Sequence, residues 1–218
     1  MAVAGTVFLV WLTLGGSSRA TVYLTGAMLA GGFGDAWLEM HWIQPSAIVH
    51  TLHAWVAGVI TALSLVLAWA VCPLFHRGPE HVLDHGWPSL RMVTSTAVLL
   101  LVVQIELGAA YRHEAVGLIP HLLGAPIVAL IVMLAASFTL QQFPKHGSLW
   151  PMAVAVLIVT SVQVALGLIT LVTGMTQTVL TRGSLMLRVA HVMNGSLTLG
   201  AVLILAIEVR RKVRRPSQ

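Results

Sequence analysis

The sequence predicts an all-α protein, a polytopic bundle of transmembrane helices built as a single membrane domain over residues 1–218. Three observations carry that expectation. Only 9% of the residues are charged and 57% are apolar, against about 25% charged in an ordinary soluble domain. Mean hydropathy is +0.90. Four apolar runs, near 48–72, 93–110, 116–140 and 152–173, approach or exceed the ~20 residues that cross a bilayer as helix. Together they exclude a soluble fold.

Taken in order, the first span, at about 2–16, is the shortest. Its run from Ala2 to Leu14 falls short of a crossing unless it continues past Gly15-Gly16. Residues 17–47 form the one long connection. It holds Gly31-Gly32-Phe33-Gly34 and the interface-suited Trp37 and Trp42, and reads as a structured external loop. Spans at about 48–72, 92–110, 116–141 and 150–173 follow. The sixth, at about 185–209, is broken only by Arg188, His191, Asn194 and a terminal Glu208.

Five of the twelve Lys and Arg residues close the chain: Arg210, Arg211, Lys212, Arg214 and Arg215. With six spans and this tail in the cytoplasm, both termini are cytoplasmic. The cations then divide 8 inside to 4 outside, Arg19, Arg112, Arg182 and Arg188 being outside, as the positive-inside rule requires. The expected location is a bacterial plasma membrane. Since no charged segment or cleavage site precedes the first run, a cleavable signal peptide is not expected. The net charge of +5 is explained by topology and needs no nucleic-acid partner.

Cys72 is the single cysteine, which excludes an internal disulfide, a Cys-rich zinc site and a thiolate-ligated iron–sulfur cluster. Ten histidines in so uncharged a chain point instead to imidazole chemistry. They fall into a pattern of three helix-pair repeats, in which a helix ends on a glycine-containing turn and the next begins with histidine. The copies are Leu14-Gly15-Gly16 with His50 and His53, Gln104-Ile105-Glu106-Leu107-Gly108 with His121, and Gln163-Val164-Ala165-Leu166-Gly167 with His191. A glycine that merely lets helices approach is the plain alternative.

The expected topology puts His50, His53, His121 and His191 at one depth, near the outer helix ends. Ionisable groups inside spans are costly and mark functional sites by default. Zinc generally wants three or four converging ligands, whereas a haem needs one or two axial imidazoles and an apolar slot between helices. A haem is therefore expected between the second and fourth spans, with His121 on one side. Of His50 and His53, one turn apart, only one can be the axial ligand on the other side, and the second is a neighbour, a propionate partner or a ligand for something else. Met133, Met152, Met175, Met186 and Met193 are set aside as axial ligands, because membrane cores use methionine freely. Glu106 reads either as a proton-handling group at the haem or as a partner of Arg112. His76, His81, His85 and His146, in polar connections, read as solvated. Asp35, Glu39 and His41 lie on the outer side with no spacing that demands a ligand.

These residues resemble the heme A synthase family. The resemblance rests on Leu14-Gly15-Gly16-Ser17-Ser18-Arg19-Ala20-Thr21, on Val49-His50-Thr51-Leu52-His53-Ala54, and on the two Gln-x-x-Leu-Gly turns. After those turns come Pro120-His121-Leu122-Leu123-Gly124-Ala125 and Val189-Ala190-His191-Val192-Met193-Asn194. The resemblance implies a shortened six-helix variant of proteins that convert heme o to heme a for cytochrome oxidase assembly. It carries the haem-ligand role onto His53, His121 and His191, with Gly108 and Arg112 beside the cofactor. A paired partner for His191 is missing from the pattern. His50 stands where the family has a catalytic glutamate, so the catalytic candidates are His50 and Glu106.

Two functions follow. One is a b-type cytochrome, an electron-transfer subunit that works with a quinone or another respiratory membrane subunit. The other is an oxidoreductase or assembly factor acting on haem o or a. Whether the chain is an enzyme is left open, and its expected partners are haem, lipid and those subunits.

Overall fold

The computed structural model describes residue 26 and residues 46–70, 81–84, 86–176 and 181–214. They form five helices: α1 (Ala47–Ala70), α2 (Leu90–Arg112), α3 (Leu118–Gln142), α4 (Leu149–Thr176) and α5 (Arg182–Lys212). All five are long and apolar enough to cross a membrane. They correspond to the second to sixth expected spans, so the described fold is all-helical with five spans. The expected span at 2–16 and nearly all of the loop at 17–47 lie outside the described residues.

Each boundary has a local cause. Ser89 caps α2, its side chain accepting from Met92 N, and Asp84 Oδ2 accepts from Leu90 N at 2.7 Å; together they satisfy amides that the first helical turn leaves without partners. Thr181 and Ser184 cap α5 reciprocally, which starts that helix three residues earlier than its apolar run suggests. Arg188, His191 and Asn194 do not interrupt it. At its far end a two-residue strand, β2 (Val213–Arg214), pairs in parallel with β1 (Val82–Leu83), Val82 opposite Val213. The connection before α2 is thereby tied to the tail.

Connections of five or six residues make α2, α3 and α4 consecutively antiparallel. α2, α3, α4 and α5 close a four-helix ring, each packed on the next and α5 back on α2, while α1 lies against α5 and α2. Helix α5 is enclosed over most of its apolar length; the other four keep most of theirs outward, as lipid-facing helices do. In lipid the water-exclusion drive between helices is absent, so small residues that allow close backbone approach govern packing. Gly58 and Ala62 of α1 meet Ser196 and Gly200 of α5 in this way: a Cβ on Gly58 would lie 3.3 Å from Ser196 Oγ, and one on Gly200 3.3 Å from the Ala62 carbonyl. The core between the ring helices is Ala97, Leu101, Val132, Ala136, Ala153, Val156, Leu199 and Val202.

The tail end of the bundle carries a buried polar network. Glu208 is fully buried. Its Oε1 accepts from Trp69 Nε1 (3.3 Å) and Arg211 Nη1 (2.9 Å), and its Oε2 from Ser148 Oγ (2.6 Å). Lys212 Nζ lies 3.2 Å from Oε2 and donates to Ser148 Oγ at 2.8 Å. One carboxylate thus joins α1, the start of α4 and α5. His146 corrects an expectation: it is buried, not solvated. Its Nδ1 accepts from Ser148 N (3.3 Å) and Leu149 N (3.2 Å), capping α4 where no Ser, Thr or Asp side chain does so. His81 is exposed, as expected; His76 and His85 lie outside the described residues.

Candidate functional site: histidine contacts at one end of the bundle

At the opposite end the antiparallel order brings together the start of α1, the end of α2, and the α3 and α5 histidines. His50, His53, His121 and His191 therefore occupy one end of the bundle, as the sequence suggested. The structure sorts them into two groups.

The first is built by α2 with α3. Gln104 Nε2 donates to the His121 carbonyl at 2.8 Å and stands 2.9 Å from His121 Nδ1. Nδ1 in turn is 3.2 Å from the Gln104 carbonyl oxygen. The ring pairs with the Gln104 carbonyl when its proton is on Nδ1, which keeps the Nε2 lone pair for a ligand, and with the Gln104 amide nitrogen when its proton is on Nε2. Gly108 is what lets the ring sit there: a Cβ would be 2.9 Å from His121 Cε1. Gly124 makes the matching room for Gln104, whose Oε1 occupies the place a Cβ would need.

The same arrangement recurs between α4 and α5. Gln163 Nε2 lies 3.3 Å from both ring nitrogens of His191. Asn194 Nδ2 donates to Gln163 Oε1 and to the Val159 carbonyl, each at 2.9 Å, which turns the Gln163 amide nitrogen toward the imidazole. A Cβ on Gly167 would be 3.1 Å from His191 Cε1, and one on Gly195 3.3 Å from Gln163 Nε2. Glutamine and the glycine four residues later thus cooperate in both hairpins: one orients a ring, the other admits it.

The two arrangements face each other. The His121 and His191 rings are perpendicular, with centroids 6.5 Å apart. Two imidazoles bound to one first-row metal at about 2 Å from each nitrogen bring their ring centres to a similar separation, roughly 6 Å. The flanking Leu122, Leu123, Val189 and Val192 are apolar and exposed. His191, for which the sequence pattern offered no partner, has one in His121 on the helix diagonally across the ring.

His50 forms the second group. Its ring stacks on His113, centroids 5.4 Å apart and 15° from parallel. His113 caps the end of α2, and its Nε2 accepts from Arg112 Nε at 3.3 Å. Sequence reading missed His113 because it falls just beyond the apolar run; the only signal was a histidine following Arg112 in a turn at the depth of His50. Desolvation, then the neighbouring Arg112, His50 and His53, hold its pKa below the usual 6.5. A lowered imidazole pKa means that the folded form resists protonation while the unfolded chain accepts it. Stability is therefore undiminished above about pH 6.5 and falls as the pH drops through and below that value. We expect protection factors for amide exchange in 47–53 and 111–116, corrected for the intrinsic rate at each pH, to fall between pH 7.5 and pH 5.5, and His113→Gln to remove most of that fall.

Glu106 Oε2 is buried and accepts no hydrogen bond among the described residues. Two residues separate it from both Gln104 and Gly108, which sets it on a different face of α2 from the His121 contact. No ion pair joins it to Arg112, which is exposed. An unpartnered buried carboxylate oxygen is rare enough to mark a functional position.

Among the described residues no three His, Cys, Asp or Glu side chains gather as a metal centre. The arrangement offers two imidazoles, which is the donor set of a bis-ligated haem and too few for a protein-only zinc site. The fold and site thus define an all-helical protein, with helices apt to cross a membrane and a facing pair of glutamine-oriented imidazoles. No family model, curated protein or solved structure matches the chain.

Proposed function

We propose that this chain is a haem-binding integral membrane protein, a b-type cytochrome that serves electron transfer at the end of the bundle carrying the histidines. The observation that carries the reading is the 6.5 Å approach of His121 and His191, each ring oriented by a glutamine and admitted by a glycine. The proposed axial pair is His121 with His191, which replaces the expected His53 with His121. His50 and His53 stand on α1, with Arg112 and His113 as the nearby donors suited to a carboxylate of the cofactor. Bound there, a haem supplies one-electron chemistry; the protein's part is to hold, orient and shield it. Among the described residues the histidines within the spans lie at one end of the bundle, which suits a haem at that side of the bilayer. Electrons would be exchanged with a quinone or a partner subunit on that side.

The positive-inside rule places that end outside and the tail end in the cytoplasm of a bacterial plasma membrane. A second reading, oxidation of heme o in oxidase assembly, is favoured by one observation, the buried unpartnered Oε2 of Glu106, with His50 as the other proton-handling candidate. A pyridine haemochrome spectrum of the purified protein decides the first point: one haem b per chain is expected, and protein that folds without haem overturns the proposal. Incubation with heme o and a reductant decides the second. No heme a is expected to form, and its accumulation would replace the cytochrome reading with the enzymatic one.

A further inference from the structure

The tail end of the bundle holds a pair of guanidinium groups that the histidine site does not use. Arg91, in the first turn of α2, donates from Nη2 to the Arg210 carbonyl at 3.0 Å. Arg210, in the last turn of α5, donates from Nη2 to Ser95 Oγ at 3.0 Å. Two cationic side chains thus lie at the same end of the α2–α5 seam, each donating to a neutral acceptor. Both side chains are exposed. The remaining guanidinium donors have no carboxylate among the described residues. At this end Asp84 spends its oxygens on Gly86 N and Leu90 N, and Glu208 spends its own on Trp69, Ser148, Arg211 and Lys212.

Adjacent guanidinium groups repel, and folding does not gather them without a use or an anion to offset the repulsion. Arginine's planar fork of donors matches the oxygens of a phosphate. What lies below the pair identifies the source of that phosphate. Arg91, Ser95 and Leu99 follow one face of α2 at four-residue spacing, and Leu99 is 65% exposed. On α5 the same face continues from Arg210 to the partly exposed Ile207 and Leu203. The groove is cationic at its mouth and apolar one to two turns further into the span. That gradient suits an acyl chain under a charged headgroup and offers nothing to a free anion.

We infer that Arg91 and Arg210 form a binding site for an anionic phospholipid, the two guanidinium groups holding the headgroup phosphate and the α2–α5 groove holding an acyl chain. The site stands apart from the haem reading. Juxtamembrane cations attract anionic lipid by an amount worth roughly a fivefold change in affinity per arginine.

The test is native mass spectrometry of the full-length protein in neutral detergent, titrated with phosphatidylglycerol or phosphatidylcholine. At least about fivefold preference for phosphatidylglycerol is expected. Arg91→Gln and Arg210→Gln should each weaken its binding by about fivefold, while Lys145→Gln, on the same end but in the α3–α4 connection, should leave it unchanged. Inorganic phosphate should not displace the lipid. Equal binding of the two lipids, Arg→Gln variants that bind as the wild type does, or displacement by inorganic phosphate would each overturn the proposal. Should a variant fail to fold, the wild-type preference between the two lipids decides alone.

Discussion

Alanine in place of His121 or His191 is expected to strip the protein of its haem, or to leave a weakly held high-spin form, whereas His53→Ala is expected to keep the low-spin spectrum. The reason is the donor count. Among the described residues these two rings meet between α3 and α5, and on the proposed reading removing one leaves the iron with a single protein ligand. The orienting residues should follow with a smaller effect. Gln104 touches the His121 ring and its carbonyl, so Gln104→Leu is expected to weaken haem binding about 10- to 100-fold, the usual scale for groups that orient a metal ligand. Gly108→Val, which drives a branched side chain into the ring's place, should resemble the histidine deletion. Haem stoichiometry by pyridine haemochrome across these variants is the measurement. Full haem in both His121→Ala and His191→Ala, with loss in His53→Ala, would restore the pairing expected from the sequence.

The second large effect is at the other end. Replacing Glu208 by leucine leaves Lys212, 5% exposed, buried beside Ser148 without its carboxylate, and frees Trp69 and Arg211 from theirs. Breaking a buried pair by removing one partner costs about 3–5 kcal/mol, a large fraction of the stability of a typical domain. Glu208→Leu should therefore lower the melting temperature in detergent strongly. Glu208→Gln, which keeps the shape and the hydrogen-bond capacity, should cost less. Lys212→Met in the Glu208→Leu background should recover part of the loss, because both members of the ion pair are then apolar. A Glu208→Leu protein as stable as the wild type would mean that the network is relaxed by water.

Much of this was legible in the sequence, for identifiable reasons. The five described spans announce themselves as apolar runs, and their bounds shift by at most three residues, where caps such as Thr181 with Ser184 extend a helix beyond its apolar stretch. The common end of the histidines follows from counting spans. The Gln-x-x-Leu-Gly turns did flag the residues that hold His121 and His191. What spacing along a chain does not reveal is which helices lie diagonally across a ring, and so the contact between the His121 and His191 rings was not foreseen. His113 was hidden for a different reason: its importance comes from α1 delivering His50 to the turn after α2. His146 looked solvated because polar neighbours suggest water, yet a connection can fold back and spend an imidazole as a helix cap. Glu208 read as a helix-end charge, and the basic tail as a topology signal. The same cations also neutralise a buried carboxylate.

The claim at the centre of the account is that two facing imidazoles, His121 and His191, bind one iron. Electron paramagnetic resonance of the oxidised, purified protein reports the ligands and their relative orientation in one spectrum. Ring planes at 90° predict a single low-spin ferric signal of the strongly anisotropic kind given by near-perpendicular imidazoles, lost in His121→Ala and in His191→Ala. A high-spin axial signal from the wild type, or a low-spin signal that survives both substitutions, would contradict it.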